Sequence, residues 1–503
     1  MKFYINSNFK LNESISYPHC RLAESTWNDW GFLSTFTLTY YSEKEAHGQV
    51  LGSVKIGKKD MNLPNIYSET VRTPIENEFT SLDNEYFSLG NSSDYYRNLY
   101  KVGLSNSKDQ QEILNSLRDV VYDRNVYFEN ERQSIMQNSL MRNISRKTIL
   151  DVYSQVLTTG NENLTAYKFS IKLKNEINDT MMNFSVTPEM LPQSNIHTLI
   201  GRNGVGKTNF FKNIILTLTD SSKNTDTVED FIGRESISSV LALSYSIFDT
   251  TLPKEDINAK IPYKFIGFIQ NKGNKIKDIN EFIIEEFIES VNYIREHKFL
   301  YELIASCLDI LNSDPIFESL QVRDWFGKNN EENLKTLYSK LSSGHKIVLL
   351  NVVKIIINVE PNSIVLIDEP EQNLHPPLIS SFVQALLNVL KKRNAMAIIA
   401  THSPVIVQEC TTESTWILNR SRNQLKISRP TIKTFGANVG AITYDIFDLE
   451  VDNSGYMNII NEKIEQGYSL DEIENIFNNK LGEESSIRIA SILFQKEIYN
   501  GHK

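Results

Sequence analysis

Apolar and polar positions follow two rhythms along the chain. Phe32 to Tyr41 and Gln49 to Ile56 alternate with a period of two around a charged turn, which predicts a β-hairpin. Gly57 to Asn91 shows neither rhythm and is expected to be irregular. From Tyr95 to Val156 the period lengthens, with Leu114, Leu117, Val120 and Val121 at helical spacing. Tyr167 to Leu173 alternates again as a half-buried strand, and Met182 to Val186 is its expected partner. Ser239 to Phe248 reads as a strand and Phe265 to Gln270 as another. Ile279 to Leu311 is helical but too short and broken for the sustained heptads of a long coiled coil, so it predicts a compact, lid-like lobe. Ile347 to Ile357 is an aliphatic helix. Ile364 to Ile367, after the turn Pro361-Asn362-Ser363, and Ala395 to Ala400 are uninterrupted apolar runs, as expected of buried parallel strands. Ser469 to Ile498 predicts two amphipathic helices, the first opened by a capping box at Ser469-Leu470-Asp471-Glu472.

The chemistry lies at the ends of the apolar runs. After the strand His197 to Ile200 comes Gly201-Arg202-Asn203-Gly204-Val205-Gly206-Lys207-Thr208, with a helix from Asn209. This is the phosphate-loop pattern in the strand–loop–helix setting it requires. Glycines let successive N–H groups turn inward on an anion, and the helix amino terminus reinforces them. Lys207 is expected to reach the β and γ phosphates and the Thr208 hydroxyl to ligate Mg²⁺. The run Ile364 to Ile367 ends in Asp368-Glu369. Neighbouring strand residues point to opposite sides, so one carboxylate can join the Mg²⁺ shell and the other can polarise the attacking water. The second run ends in Thr401-His402-Ser403, where His402 can donate to a terminal phosphate. Taken singly, Asp368-Glu369 is a solvated strand end and His402 a satisfied structural histidine. The phosphate loop upstream turns them into parts of one Mg–ATP site.

Composition narrows the setting. At 503 residues the chain has room for two or three domains. Hydrophobic residues make up 40% and charged residues 23%, ordinary for a globular protein. No apolar run approaches membrane-spanning length, and the start MKFYINSNFKLNES lacks a secretory apolar core, so a cytoplasmic protein without membrane partners is expected. Cys20, Cys307 and Cys410 have neither metal-ligand nor disulfide spacing. A net charge of −10 argues against wholesale coating of nucleic acid but leaves room for a local basic groove. Two basic stretches bear on that. Arg142, Arg146 and Lys147 read as a solvated helix face, with a phosphate contact as the alternative. Arg420, Arg422, Lys426, Arg429 and Lys433 lie on expected strands, where a nucleic-acid contact is open.

The segment Leu341-Ser342-Ser343-Gly344-His345-Lys346 resembles the signature motif of ABC-type ATPases, Asp368 to Pro376 their Walker B strand and D-loop, and Thr401 to Pro404 their switch histidine. The wording is similar to the RecF/OLD/SMC-like branch. More narrowly, SLGNSSDYYRNLY at Ser88–Tyr100, SYSIFD at Ser244–Asp249 and TFGANVGAITYDIFDLEVDNSGY at Thr434–Tyr456 resemble the PtuA-like ATPases of Septu and retron anti-phage systems.

The resemblance implies an α/β, ABC-type P-loop ATPase with an antiparallel β subdomain, an inserted helical lobe at about 250–335 and a small α/β tail. The expected units are residues 1–165, a core at 166–410, and a partner-docking region at 411–503. It implies that the early hairpin and the strands from Tyr167 share one sheet. It implies Mg²⁺ and ATP as cofactors, with Gly201 to Asn209 binding nucleotide, Lys207, Glu369 and His402 in catalysis, and Thr208 and Asp368 at the metal. A coupling glutamine is also expected, and Gln270 is its candidate. Ser342, Ser343, Gly344 and His345 would complete the site of another copy, in a homodimer or higher oligomer with ATP between heads. His345 departs from the glutamine usual in transporters, which bears on the strength of that closure; it opens the helix Ile347 to Ile357, whose amino terminus is expected to face phosphate. The tail acids Asp445, Asp448, Glu450 and Asp452 lack the Asp-x-Asp of a Toprim nuclease and read as turn and cap residues. The PtuA-like resemblance implies a separate HNH-type nuclease as partner, together with the reverse transcriptase and non-coding RNA of a retron, or nucleic acid. The alternative is a RecF-type repair ATPase without a nuclease. A transporter subunit fits poorly with the long amino-terminal region.

Overall fold

The computed structural model describes the chain except residues 6–15, 27, 30, 44–46, 63–69, 143, 162–163, 175–179, 220–224, 245–251, 254, 256–258, 260, 268–278, 297, 328–329, 373, 422–423, 453–454 and 502–503. Gln270 and Arg422, named above, lie outside the described residues.

The amino-terminal unit is a largely antiparallel sheet backed by helices. Its strands are β1 (Lys2–Ile5), β2 (His19–Glu24), β4 (Thr35–Tyr41), β5 (Gln49–Lys58), β7 (Glu78–Phe79) and β8 (Tyr86–Gly90), in the order β7-β1-β2-β4-β5-β8. The short β3 (Phe32–Leu33) and β6 (Val71–Arg72) pair beside it. β4 and β5 form the expected hairpin, with Phe36 facing Val54 and Leu38 facing Gly52. Helix Ser93–Ser105 buries Tyr95, Tyr96, Leu99 and Val102 against this sheet. Of the basic cluster in this unit, Arg146 is exposed, as a solvated face requires, and the other two residues are engaged. Arg142 pairs with the buried Asp29 at 3.3 Å, and Lys147 Nζ donates to the Glu235 carbonyl at 2.9 Å.

A three-stranded antiparallel sheet follows, of β9 (Tyr167–Leu173), β10 (Thr180–Val186) and β12 (Val228–Ile232), in the order β10-β9-β12. This corrects one expectation: β9 and β10 do pair, from Thr180 with Leu173 to Val186 with Tyr167, but not in one sheet with the hairpin. The hairpin's edges are already taken by β2 and β8, so the second partner of β9 is β12.

The core is a seven-stranded sheet. It contains β11 (Ile196–Ile200), β13 (Val240–Ser244), β14 (Tyr263–Gly267), β15 (Ile364–Asp368), β16 (Met396–Thr401), β17 (Thr415–Ser421) and β18 (Gln424–Ser428), ordered β14-β13-β15-β16-β11-β17-β18. Every pairing is parallel except β17 with β18. Burial on both faces explains the unbroken apolar runs. Ile364 and Leu366 pack toward helix Lys207–Thr219 and the β9 sheet, whereas Val365 and Ile367 pack toward the helices of the other face.

That second face carries helices Ile279–Glu296, Lys298–Leu311, Pro315–Ser319, Val322–Trp325, Glu331–Ser339, Ser343–Asn358 and Pro376–Lys392. Phe287, Leu303, Trp325 and Tyr338 share one continuous core with Val348 and Phe382. The expected lid-like lobe is thus built into the layer that holds the signature and D-loop segments. β17 and β18 extend the core sheet, so the tail begins inside it. The capping box at Ser469 and Glu472 is formed, and helices Leu470–Ile476 and Glu483–Gly501 follow. Among the described residues, no helix is long and apolar enough to cross a membrane. The architecture is an α/β P-loop fold, in which β16 lies between β11, the strand before the phosphate loop, and β15, the strand that ends in Asp368.

Candidate nucleotide site

Strand register assembles the site. Asp368 of β15 lies opposite Ala400 of β16, and Ile200 of β11 lies opposite Thr401. Three carboxyl edges therefore end level, where open α/β sheets bind ligands. The phosphate loop leaves β11 there and enters helix Lys207–Thr219. Gly201 has no room for a side chain, because a Cβ would sit 2.4 Å from the Leu418 carbonyl oxygen of β17. Gly204 and Gly206 are required by conformation, with φ of 77° and 103°.

Lys207 is buried and holds the loop closed on itself. Its Nζ donates to the carbonyls of Gly201 at 3.1 Å and Arg202 at 3.4 Å, and lies 3.5 Å from Glu369 Oε1. The Thr208 hydroxyl donates to Asp368 Oδ2 at 2.5 Å. A hydroxyl and a carboxylate converging below a phosphate loop are hard oxygen donors that fit Mg²⁺. Glu369 adopts φ of 46°, a left-handed backbone that costs a non-glycine residue about 1–3 kcal/mol. Its amide donates to the Ala400 carbonyl at 2.8 Å, which fixes the carboxylate beside His402. His402 Nδ1 is 3.8 Å from Glu369 Oε1 and 3.2 Å from Glu371 Oε1.

Glu371 was not singled out by the sequence. It is buried, and its Oε1 accepts from the Thr401 hydroxyl at 2.6 Å and from the His402 amide at 2.8 Å. It ties the Walker B turn to the switch segment. Its only sequence signal is its place in Asp-Glu-Pro-Glu. Arg420 was read as part of a basic stretch open to nucleic acid. Its guanidinium instead reaches the phosphate loop, 3.7 Å from where a Gly206 Cβ would lie. Arg429 from the same stretch stacks on Trp416 at 3.2 Å and donates to the Thr415 carbonyl; burial lowers its pKa to about 10. His197 is structural too: burial pushes it down to about 4, and it contacts the Ser185 carbonyl.

Lys207, Thr208, Asp368, Glu369 and His402 are thus brought together. The signature is engaged elsewhere. Ser342 caps helix Ser343–Asn358, and Ser342 and Ser343 are exposed. His345, expected as part of the signature that completes another copy's site, is turned into the chain's own interior. It is buried, with Nδ1 2.6 Å from Ser342 Oγ and Nε2 3.1 Å from Asp314 Oδ1. The inward turn buries an apolar ring edge against Phe317 and leaves the two serines as the exposed surface. In the tail, the expectation of turn and cap acids is not met for Asp445: it lies inside helix Val439–Asp452 and accepts from the amide and hydroxyl of Thr431, 14 residues earlier. Asp448, Glu450 and Asp452 fall in helix Val439–Asp452, and their side chains lie outside the described residues.

A profile of the family described as "AAA domain, putative AbiEii toxin, Type IV TA system" matches residues 254–408. Protein ea59 of Escherichia phage lambda is 31% identical over 512 residues, covering 94% of this chain and 94% of that protein. The Retron Vc95 probable ATPase of Vibrio cholerae serotype O1 biovar El Tor is 27% identical over 212 residues, spanning 39% of this chain and 41% of that protein. Among solved structures, an ATP-binding cassette of an ABC transporter in its ADP conformation covers 56% of this chain and 96% of its own, at 13% identity and a TM-score of 0.29.

Proposed function

We propose that this chain, which belongs to the family of protein ea59 of Escherichia phage lambda, is an ATP-hydrolysing switch subunit of an anti-phage defence complex that governs a separate nuclease. The observation that carries the enzymatic part is the convergence of Lys207, Thr208, Asp368, Glu369 and His402 on one sheet edge. On binding nucleotide, Lys207 exchanges the Gly201 and Arg202 carbonyls for phosphate oxygens. Thr208 and Asp368 would hold Mg²⁺, which when bound would neutralise charge on the phosphates. Glu369 orients water and takes its proton, and His402, held by Glu371, donates to the terminal phosphate. Ser342 and Ser343 are exposed on the surface that a second copy would meet.

The defence setting is supported by the name of the Vibrio cholerae relative, a retron ATPase. The partner reading is supported by the tail, where Phe435, Tyr444, Tyr456 and Ile459 are exposed although large and apolar. Such side chains favour a docking surface.

Glu369→Gln is expected to keep ATP binding and slow turnover by about 100-fold or more, as when a general base is lost. Lys207→Ala is expected to weaken binding itself. Wild-type turnover in purified Glu369→Gln protein contradicts the assignment. Co-expressed with an HNH-type nuclease encoded beside it, the chain is expected to copurify with it and to alter its cleavage when ATP is depleted. A nuclease that neither binds nor responds overturns the partner reading and leaves hydrolysis standing.

A further inference from the structure

Behind the signature, three side chains distant in sequence bring ligand atoms together. Asp314, His345 and His375 each offer one such atom, and these lie within 4.8 Å of one another. Asp314 Oδ1 is 3.1 Å from His345 Nε2, and Asp314 Oδ2 is 3.5 Å from His375 Nε2. In a tetrahedral zinc site with bonds of about 2.0–2.1 Å, neighbouring ligands stand about 3.3 Å apart. Those two spacings, each to a different Asp314 oxygen, lie close to that edge, while one ligand atom from each residue falls within 4.8 Å of the others, so the side chains would draw together to close the site. Asp314 and His345 are buried, while His375 is half exposed and gives the ion a way in.

The geometry points to a binding site for a divalent transition ion of the Zn²⁺ class at Asp314, His345 and His375. Two imidazoles and one carboxylate select such an ion over Mg²⁺ or Ca²⁺, which prefer all-oxygen shells. The supports are rigid. Asp314 and His375 are both helix N-caps followed by proline at the first helical position, and His345 lies in the first turn of the signature helix. A second-shell partner for His345 is also in place. With a metal on Nε2, its Nδ1 carries the proton and donates to Ser342 Oγ, 2.6 Å away. The Ser342 hydroxyl proton then points away from the histidine. Ligation by His375 Nε2 likewise places the proton on Nδ1. That gives up the cap that Nδ1 accepts from the Leu378 amide, a contact already long at 3.3 Å. The ion would join the helical lobe, the signature helix and the D-loop helix. It stands apart from the Mg²⁺ pair at Thr208 and Asp368, and it does not depend on hydrolysis.

The test is metal binding by the full chain. After stripping with EDTA, Zn²⁺ retained at equilibrium dialysis is measured, and Co²⁺ is used for its visible absorption. The expectation is one Zn²⁺ per chain, a tetrahedral Co²⁺ spectrum and a Zn²⁺-dependent rise in Tm. His375→Asn removes the ligand but keeps a residue able to cap. It should weaken binding by at least ~10-fold and abolish the Tm rise. His345→Gln should do the same. Asp368→Asn and His402→Ala should bind Zn²⁺ as wild type does. No retained Zn²⁺, equal binding by His375→Asn, or loss in Asp368→Asn overturns the site.

Discussion

Glu371 bears on the proposed chemistry through His402. Its buried carboxylate accepts two hydrogen bonds from Thr401 and His402 and stands against the His402 ring. Bonds to a charged acceptor are worth more than neutral ones, and stranding their buried donors costs about 1–3 kcal/mol. Glu371→Ala is therefore expected to lower stability by about that amount. It should also cut kcat by about 10-fold or more with KM for ATP little changed, because His402 loses its orientation. Glu371→Gln, which can still accept both bonds, should recover part of kcat. Thermal unfolding and steady-state kinetics check this, and wild-type kcat in folded Glu371→Ala contradicts it. Lys207, Thr208, Asp368, Glu369 and His402 were legible because the phosphate loop and the strand ends are local patterns. Glu371 and the inward turn of His345 were not. The first looks like any turn carboxylate, and the second depends on Asp314, thirty-one residues earlier.

At the scale of elements, local pattern carried the strands that bury one face or lie between clear turns. β9 alternates as read, with Phe169, Ile171 and Leu173 inward. β15 and β16 were legible from their unbroken apolar runs. β8 was missed inside a stretch expected to be irregular, because four of its five residues are buried and no alternation marks it. β12 carries only Val228 and Phe231 inward, too few to announce a strand. Its pairing to β9 is what moved the β9 sheet away from the hairpin. Sheet membership is a contest for edges between distant segments, and that contest leaves no local trace. The helical lobe was visible as helices. Its fusion with the signature layer follows from a shared core that no single helix displays.

At the scale of the whole molecule, the signature serines are exposed on the layer opposite the phosphate-loop helix. On the proposed reading, a site that uses them would be completed by a second copy, and a twofold pair would then have two composite sites. Closure on ATP and opening after hydrolysis would present a docked partner with two arrangements, and only a difference in affinity between them transmits a signal. The most direct measurement mixes two inactive variants. Lys207→Ala lacks its own nucleotide site, and Ser343→Arg blocks the signature it lends. Each alone should hydrolyse almost no ATP. In an equal mixture, half the dimers pair unlike chains and each of these keeps one intact composite site, so about a quarter of the wild-type rate should return. A mixture as inactive as its components, from chains shown to exchange subunits, would contradict the account.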